Sequence, residues 1–321
     1  MERFKKILCV TDTCEECTVE IAQAVQLVEH NQGSLTIATV TPKALDSPTI
    51  ETPPEPGEQE ACTKKIEAKV APYRQCLDIR IKTLTGKPYQ QIIREVLRDG
   101  YDLVMKVRSE ACWKKRLISR TDMHLLGKCP CPVWLVNAKQ PDAMQSILAT
   151  VDVSQAGTPS ESRVRAELNL RILEIASTMA LFNRAELHIA QAWHLIGESA
   201  MRGSFLRTPE QKIIESLEEE EKYYADRLDA LVHGYFHSSR FQQKERDILF
   251  PRVHLIKGWE HKEVPVLAKQ IDADVLIMGA VARTGIADFT MGNNAKSIFR
   301  QLEGSFLLIK QPGFVTPVKL T

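Results

Sequence analysis

The chain has 321 residues, 44% of them hydrophobic, and its 42 Lys and Arg balance 41 Asp and Glu to leave a net charge of +1. That length suits about two domains, and the balanced charge carries no electrostatic footprint for nucleic acid or an anionic membrane. The opening MERFKKILCV meets Asp12 too soon for a secretory signal, and no stretch approaches the ~20 apolar residues of a membrane span, so the expectation is a cytoplasmic chain with no membrane span and no nucleic-acid partner.

In chain order, the first half predicts strands near 6–11, 35–40, 77–83, 102–107 and 132–136, with helices near 15–30, 58–76, 88–99 and 120–128. The Pro-rich, acidic 43–60 segment reads as an exposed loop entering a helix. The second half predicts strands near 146–151, 186–193, 252–256, 274–278 and 305–309, with helices near 160–182, 209–236, 260–271 and 293–302. Within 209–236, Ile213, Ile214, Leu217, Tyr224, Leu228 and Leu231 fall on one helical stripe, which makes Glu218–Glu221 a solvated face. Residues 237–251 read as a surface loop, with a lid as the alternative.

The two halves repeat one pattern. KKILCVTD (Lys5–Asp12) resembles QSILATVD (Gln145–Asp152), YDLVMKV resembles ADVLIMG, and CPVWLVN resembles SFLLIK. Lys5 and Gln145 stand 140 apart and Gly86 and Gly258 stand 172 apart, so the second half carries about 32 extra residues before its glycine. Apolar strands alternating with amphipathic helices argue for a parallel sheet covered on both faces. The fold class is therefore α/β: two tandem doubly wound, Rossmann-like domains, residues 1–140 and 141–321. Ligands of such sheets bind beyond the carboxyl ends of the strands, where Asp152 and the segment after Met278 both fall. That segment, MGAVARTGIADFTMGNNAKSI, places glycines at 279, 285 and 292 between a buried strand and a helix. Backbone N–H groups in such a connection suit an anion at a helix N-terminus.

These residues resemble the universal stress proteins, in their tandem two-domain E type. The family's nucleotide signature is G-x2-G-x9-G-[ST]. Gly279 takes its first place, Ala282 its second, Gly292 its third and Asn293 the final Ser/Thr, with Arg283-Thr284-Gly285 matching the RTG that commonly follows the second glycine. DMHLLGKCPCPVWLV and the near-terminal TPVKL resemble the same type. The resemblance implies a stress-response binding protein that holds ATP in the second half. Asp152 would then lie near adenine or ribose, the Ala192 backbone against the base, and the Gly279, Ala282, Arg283, Gly292 and Asn293 loop around the phosphates. An Asn amide can donate in place of the hydroxyl. The first half has Val107 in the place of Gly279, so its nucleotide loop is degenerate. Its basic cluster, Lys106, Arg108, Lys114, Lys115 and Arg116, reads as solvated surface, with an anion site as the alternative. The last strands of the halves, being exposed edges, are expected to pair into an intramolecular pseudo-dimer; a homodimer is also allowed.

No nucleophile–base pair is legible, so binding rather than catalysis is expected, with slow ATP hydrolysis as the upper limit. The alternative function is a binder of a non-nucleotide small molecule, or an interaction scaffold. All eight cysteines lie before residue 140, which does not suit a stapled secreted fold. Cys14, Cys17, Cys129 and Cys131 read first as structural, then as redox-sensing or zinc-binding. His233 and His237 read as a surface pair, His124 as packing or capping, and Trp134 and Trp259 as packing; no metal site is assigned.

Overall fold

The computed structural model describes residues 4–11, 19–41, 56–108, 119–139, 141, 143–155, 157–203, 208–238, 241, 245, 248–280 and 293–320. Asp12, Cys14, Cys17, Lys114, Lys115, Arg116, Ala282, Arg283, Gly285 and Gly292 lie outside them, as does the Asn293 side chain.

The first half runs β1 (Lys6–Thr11), α1 (Val19–Asn31), β2 (Ser34–Thr41), α2 (Pro56–Val70), β3 (Asp78–Thr85), α3 (Pro88–Asp99), β4 (Leu103–Arg108), α4 (Arg120–Lys128) and β5 (Val133–Asn137). The second runs β6 (Ser146–Thr150), α5 (Pro159–Asn183), β7 (Glu186–Trp193), α6 (Glu198–Arg202), α7 (Glu210–Phe236), β8 (Arg252–Lys257), α8 (Glu260–Gln270), β9 (Val275–Ala280), α9 (Asn293–Gln301) and β10 (Ser305–Lys310). The expected elements are present. The short α6 was not legible, because five residues are too few to show a helical period. Helix α2 stops at Val70, with turns through Cys76, rather than running to 76.

All ten strands join one sheet in the order β3-β2-β1-β4-β5-β10-β9-β6-β7-β8. Every pairing is parallel except β5 with β10, where Trp134 lies opposite Leu307. The expected pairing of the two last strands thus holds, and it makes one continuous sheet about a pseudo-twofold axis. The central strands are buried on both faces, as parallel strands under two helical layers require. On one face the core joins α1, α5 and α7 to residues such as Ile7, Met105, Ile147 and Ile277. On the other it joins α3, α4, α8 and α9 to Val10, Val104, Leu276 and Phe306.

Strand register locates the insertions. Ile7 pairs with Leu103 as Ile147 pairs with Val275, and Ser34 lies opposite Lys6 as Glu186 lies opposite Ser146. The offset between halves is therefore 140 at β1, 152 at β2 and 172 at β3, where Thr36 faces Arg80 as His188 faces Arg252. The longer α5 absorbs the first increment, and the segment carrying α6 and α7 absorbs the second. Gly86 and Gly258 make the same turn in each half: φ is +129° and +140°, and their N–H groups donate to Thr41 O and Trp193 O. Both conformations favour glycine. On α7, Ile213 and Leu228 are buried, but Ile214 is exposed and off the stripe.

Candidate functional site at the carboxyl edge of the second half

Asp152 leaves β6 at the carboxyl end of the sheet. Its N–H donates to Asn169 Oδ1 at 3.0 Å, and Asn169 Nδ2 donates back to Asp152 O at 2.8 Å, so the buried Asn169 of α5 locks this turn. The half-exposed Asp152 carboxylate accepts from Ser154 N and Oγ at 3.0 and 2.6 Å and lies 3.2 Å from Arg165 Nε. Next to it, Gln191 Oε1 accepts from Val153 N at 2.8 Å while Gln191 Nε2 donates to Ala192 O at 2.6 Å. The Ala192 carbonyl is thus already engaged by a side chain.

Glu260 opens α8 on the same edge. Burial raises its carboxyl pKa, the Asp152 charge adds to the rise, and Asn294 Nδ2 at 3.4 Å from Oε2 opposes it. Asp152, Glu260 and Asn294 therefore converge, although the sequence named only the first. Trp259, read as packing, is 52% exposed and lies against His194 with ring centroids 3.8 Å apart and ring planes tilted by 33°. The turn at Gly258 lifts it out of the core and over the strand ends.

Gly279 packs directly against α5. A Cβ there would lie 2.6 Å from Leu168 Cδ2 and 3.1 Å from Ile172 Cδ1, so its absence lets α5 lie close on β9. Val107 occupies the equivalent place in the first half, since Val107 faces Val136 on β5 as Gly279 faces Ile309 on β10.

The first-half basic cluster is corrected by the structure. Lys106 and Arg108 are buried, not solvated. Lys106 Nζ is 3.3 Å from Asp122 Oδ1 of α4. Arg108 crosses to the second half, where it donates to Leu302 O at 3.2 Å and lies 4.5 Å over the Phe299 ring. Both are engaged within the fold, and neither faces solvent as an anion site would require. Cys129 and Cys131 are buried with their Sγ atoms 3.5 Å apart. Lys310 of the other half reaches over to donate to Leu126 O; burial lowers its pKa to about 8, with the cysteines partly opposing that. Cys62 is disulfide-bonded. His233 and His237 are exposed and stacked, and His124 packs on Tyr89 with centroids 4.1 Å apart. Trp134 is buried at the pairing edge. Among the described residues no three His, Cys, Asp or Glu side chains cluster as metal ligands, and no helix is long and apolar enough to cross a membrane.

Two tandem α/β units whose last strands pair define a duplicated, doubly wound protein with one continuous sheet. Residues 3–137 and 166–310 each match the Universal stress protein family, and the chain belongs to that family. The second match begins inside α5, so β6 and Asp152 precede it. Universal stress protein E of Escherichia coli (strain K12) is 28% identical over 237 residues, covering 73% of this chain and 69% of the relative. Universal stress protein E of Photorhabdus laumondii is 24% identical over 330 residues, covering 99% of each. Among solved structures, a putative universal stress protein from Pseudomonas aeruginosa UCBPP-PA14 superimposes with a TM-score of 0.66 at 20% identity, covering 97% of this chain and 94% of that one. A universal stress protein from Archaeoglobus fulgidus gives 0.58 at 14% identity, over 95% of this chain and 98% of its own. At these identities the structural likeness speaks for the fold alone.

Proposed function

We propose that residues 141–321 bind one nucleotide, ATP, at the carboxyl edge of β6, β7 and β9, and that residues 1–140 serve as the paired, non-binding half. The observation that carries this reading is the asymmetry between the halves. At the carboxyl edge of the second half Asp152, Glu260 and Asn294 converge, whereas the buried Lys106 and Arg108 occupy the equivalent edge of the first half. Two carboxylates suit ribose hydroxyls rather than phosphates, and the phosphates belong at the N-terminal end of α9, where Asn293 stands and orphan N–H groups favour anions. The exposed Trp259 ring supplies an aromatic face for the base. Ala282, Arg283 and Gly292 complete the loop by resemblance. The role proposed is retention of the nucleotide in a cytoplasmic stress-response protein, with hydrolysis slow at most.

Isothermal titration with ATP tests this. One site per chain is expected, abolished by Gly292→Asp, which sets charge and bulk against the phosphates. No heat at millimolar ATP, together with no competition by a nucleotide analogue, would overturn it.

A further inference from the structure

The C-terminal tail leaves β10 and runs back over the first half. Val318 packs against the core that holds α3 and α4, and Arg94 Nε donates to Lys319 O at 3.2 Å, so two contacts fix the tail there. Between the tail and these helices lies a pocket of about 300 Å³. It is lined by Tyr89, Gln90 and Arg94 of α3, Lys128 of α4, and residues 317–319. That volume falls at the lower end of small-molecule sites. No strand residue is among the lining residues, so the pocket is separate from the carboxyl edge of the second half.

The lining is cationic. Arg94, Lys128 and Lys319 bring three positive charges, and among the described residues no Asp or Glu lines the pocket. None of the three cations forms an ion pair with a described residue. Lys128 Nζ lies 5.5 Å from the Tyr89 ring centroid, and the same ring stacks on His124. Gln90 Nε2 donates to Tyr89 Oη at 3.2 Å, which leaves the Tyr89 O–H to donate elsewhere. The second half lacks this set. Helix α8 starts at Glu260, 172 residues after Pro88 of α3, and α9 starts at Asn293, 173 after Arg120 of α4. Val266 therefore answers Arg94, and Gln301 answers Lys128. Helix packing is served there by neutral side chains, with Gln301 Nε2 donating to His261 O. Gathering like charges round one pocket is unfavourable unless an anion offsets them.

We infer that this pocket binds a multivalent oxyanion with the chemistry of a diphosphate group. Arg94, with Nε committed to the tail, keeps its terminal nitrogens for paired phosphate oxygens. Lys128 and Lys319 add point charges, and Tyr89 adds its O–H. A single carboxylate would leave two of the three cations unbalanced. The diphosphate belongs either to the free inorganic ion or to a nucleoside diphosphate. The inference does not depend on the nucleotide reading, because the two places share no residue.

The test uses the full chain carrying Gly292→Asp, which removes the proposed carboxyl-edge site. Inorganic pyrophosphate is titrated in at about 0.15 M salt, and the ring resonance of His124, beside Tyr89, is followed by NMR. That resonance is assigned by its loss in His124→Asn. A saturable shift is expected, and acetate at the same ionic strength is expected to produce none. Lys128→Gln, which installs the residue of the second half, is expected to weaken binding about tenfold, the effect of one charge-assisted hydrogen bond. The double change Arg94→Val, Lys128→Gln is expected to abolish it. ADP in place of pyrophosphate separates the two sources: tighter binding assigns the pocket to a nucleoside diphosphate, equal or weaker binding to the free ion. Absence of a saturable shift at millimolar pyrophosphate would overturn the inference. So would an unchanged affinity in Lys128→Gln, which would mean an anion held elsewhere. Arg94 also holds the tail, so should the double variant fail to fold by circular dichroism, Lys128→Gln decides alone.

Discussion

Replacing Glu20 by Gln should stabilise the protein at alkaline pH and leave it unchanged in acid. Glu20 is 1% exposed at the start of α1, and burial is the main reason that its carboxyl pKa rises from 4.5 to about 7. Its own backbone amide, Lys69, the Thr11 side chain and Lys106 all favour the anion and only partly offset that burial. The folded state therefore holds the proton more tightly than the unfolded chain does. Stability from this group is complete below pH 4.5 and is lost as the pH climbs through 7. At about 1.4 kcal/mol per pH unit, the rise from 4.5 to about 7 corresponds to a loss of about 3 kcal/mol by pH 8. A Gln of the same shape carries no charge to desolvate, so the Glu20→Gln variant should match the parent at pH 4.5 and exceed it by about 2–3 kcal/mol at pH 8. Urea unfolding at the two pH values reads this directly. An equal difference at both pH values, or a variant weaker at pH 8, would refute the reasoning. Glu20 takes the place of Ile172 in the other half, so ionisable side chains fill the first half's edge where aliphatic ones line the second.

Three further outcomes are expected. Gly279→Val should cost about 1–3 kcal/mol through overpacking against Leu168 and Ile172, and Leu168→Ala in the same chain should recover part of it in denaturant titration. Asp122→Ala leaves the buried Lys106 ammonium without its 3.3 Å partner and should cost about 3–5 kcal/mol, whereas the double change Lys106→Met, Asp122→Leu should be near neutral. His188 and His254 lie 2.9 Å apart on β7 and β8, and burial lowers both pKa values. The unfolded chain takes up those protons first, so stability should fall as pH drops below about 6.5. His188→Phe should flatten that fall, measured in the Glu20→Gln background because Glu20 acts in the opposite direction over the same range.

The architecture was legible because each strand is a short apolar run and each helix an amphipathic one, and because the halves repeat them. Gly86 and Gly258 marked the same turn twice, and the exposed final strands pointed to their own pairing. The candidate site was legible only in part. Asp152 and Gly279 stand out by the repeat, but Asn169, Gln191 and Glu260 follow no motif; they matter because separate elements bring them to one edge. Lys106 and Arg108 looked like surface charge because sequence patterning cannot show that α4 supplies Asp122 or that α9 supplies Phe299 and the adjoining Leu302 carbonyl.

The sequence by itself determined the periodicities, the duplication, the family and the unequal glycine loops, since each is written in local spacing. Tertiary structure alone decided that Gly279 makes room for Leu168, that Trp259 stands out of the core, and that Arg108 crosses to Phe299 of the other half. Those facts depend on which side chains meet across helices and sheet, and burial and unmet hydrogen bonds acquire meaning only at such meetings.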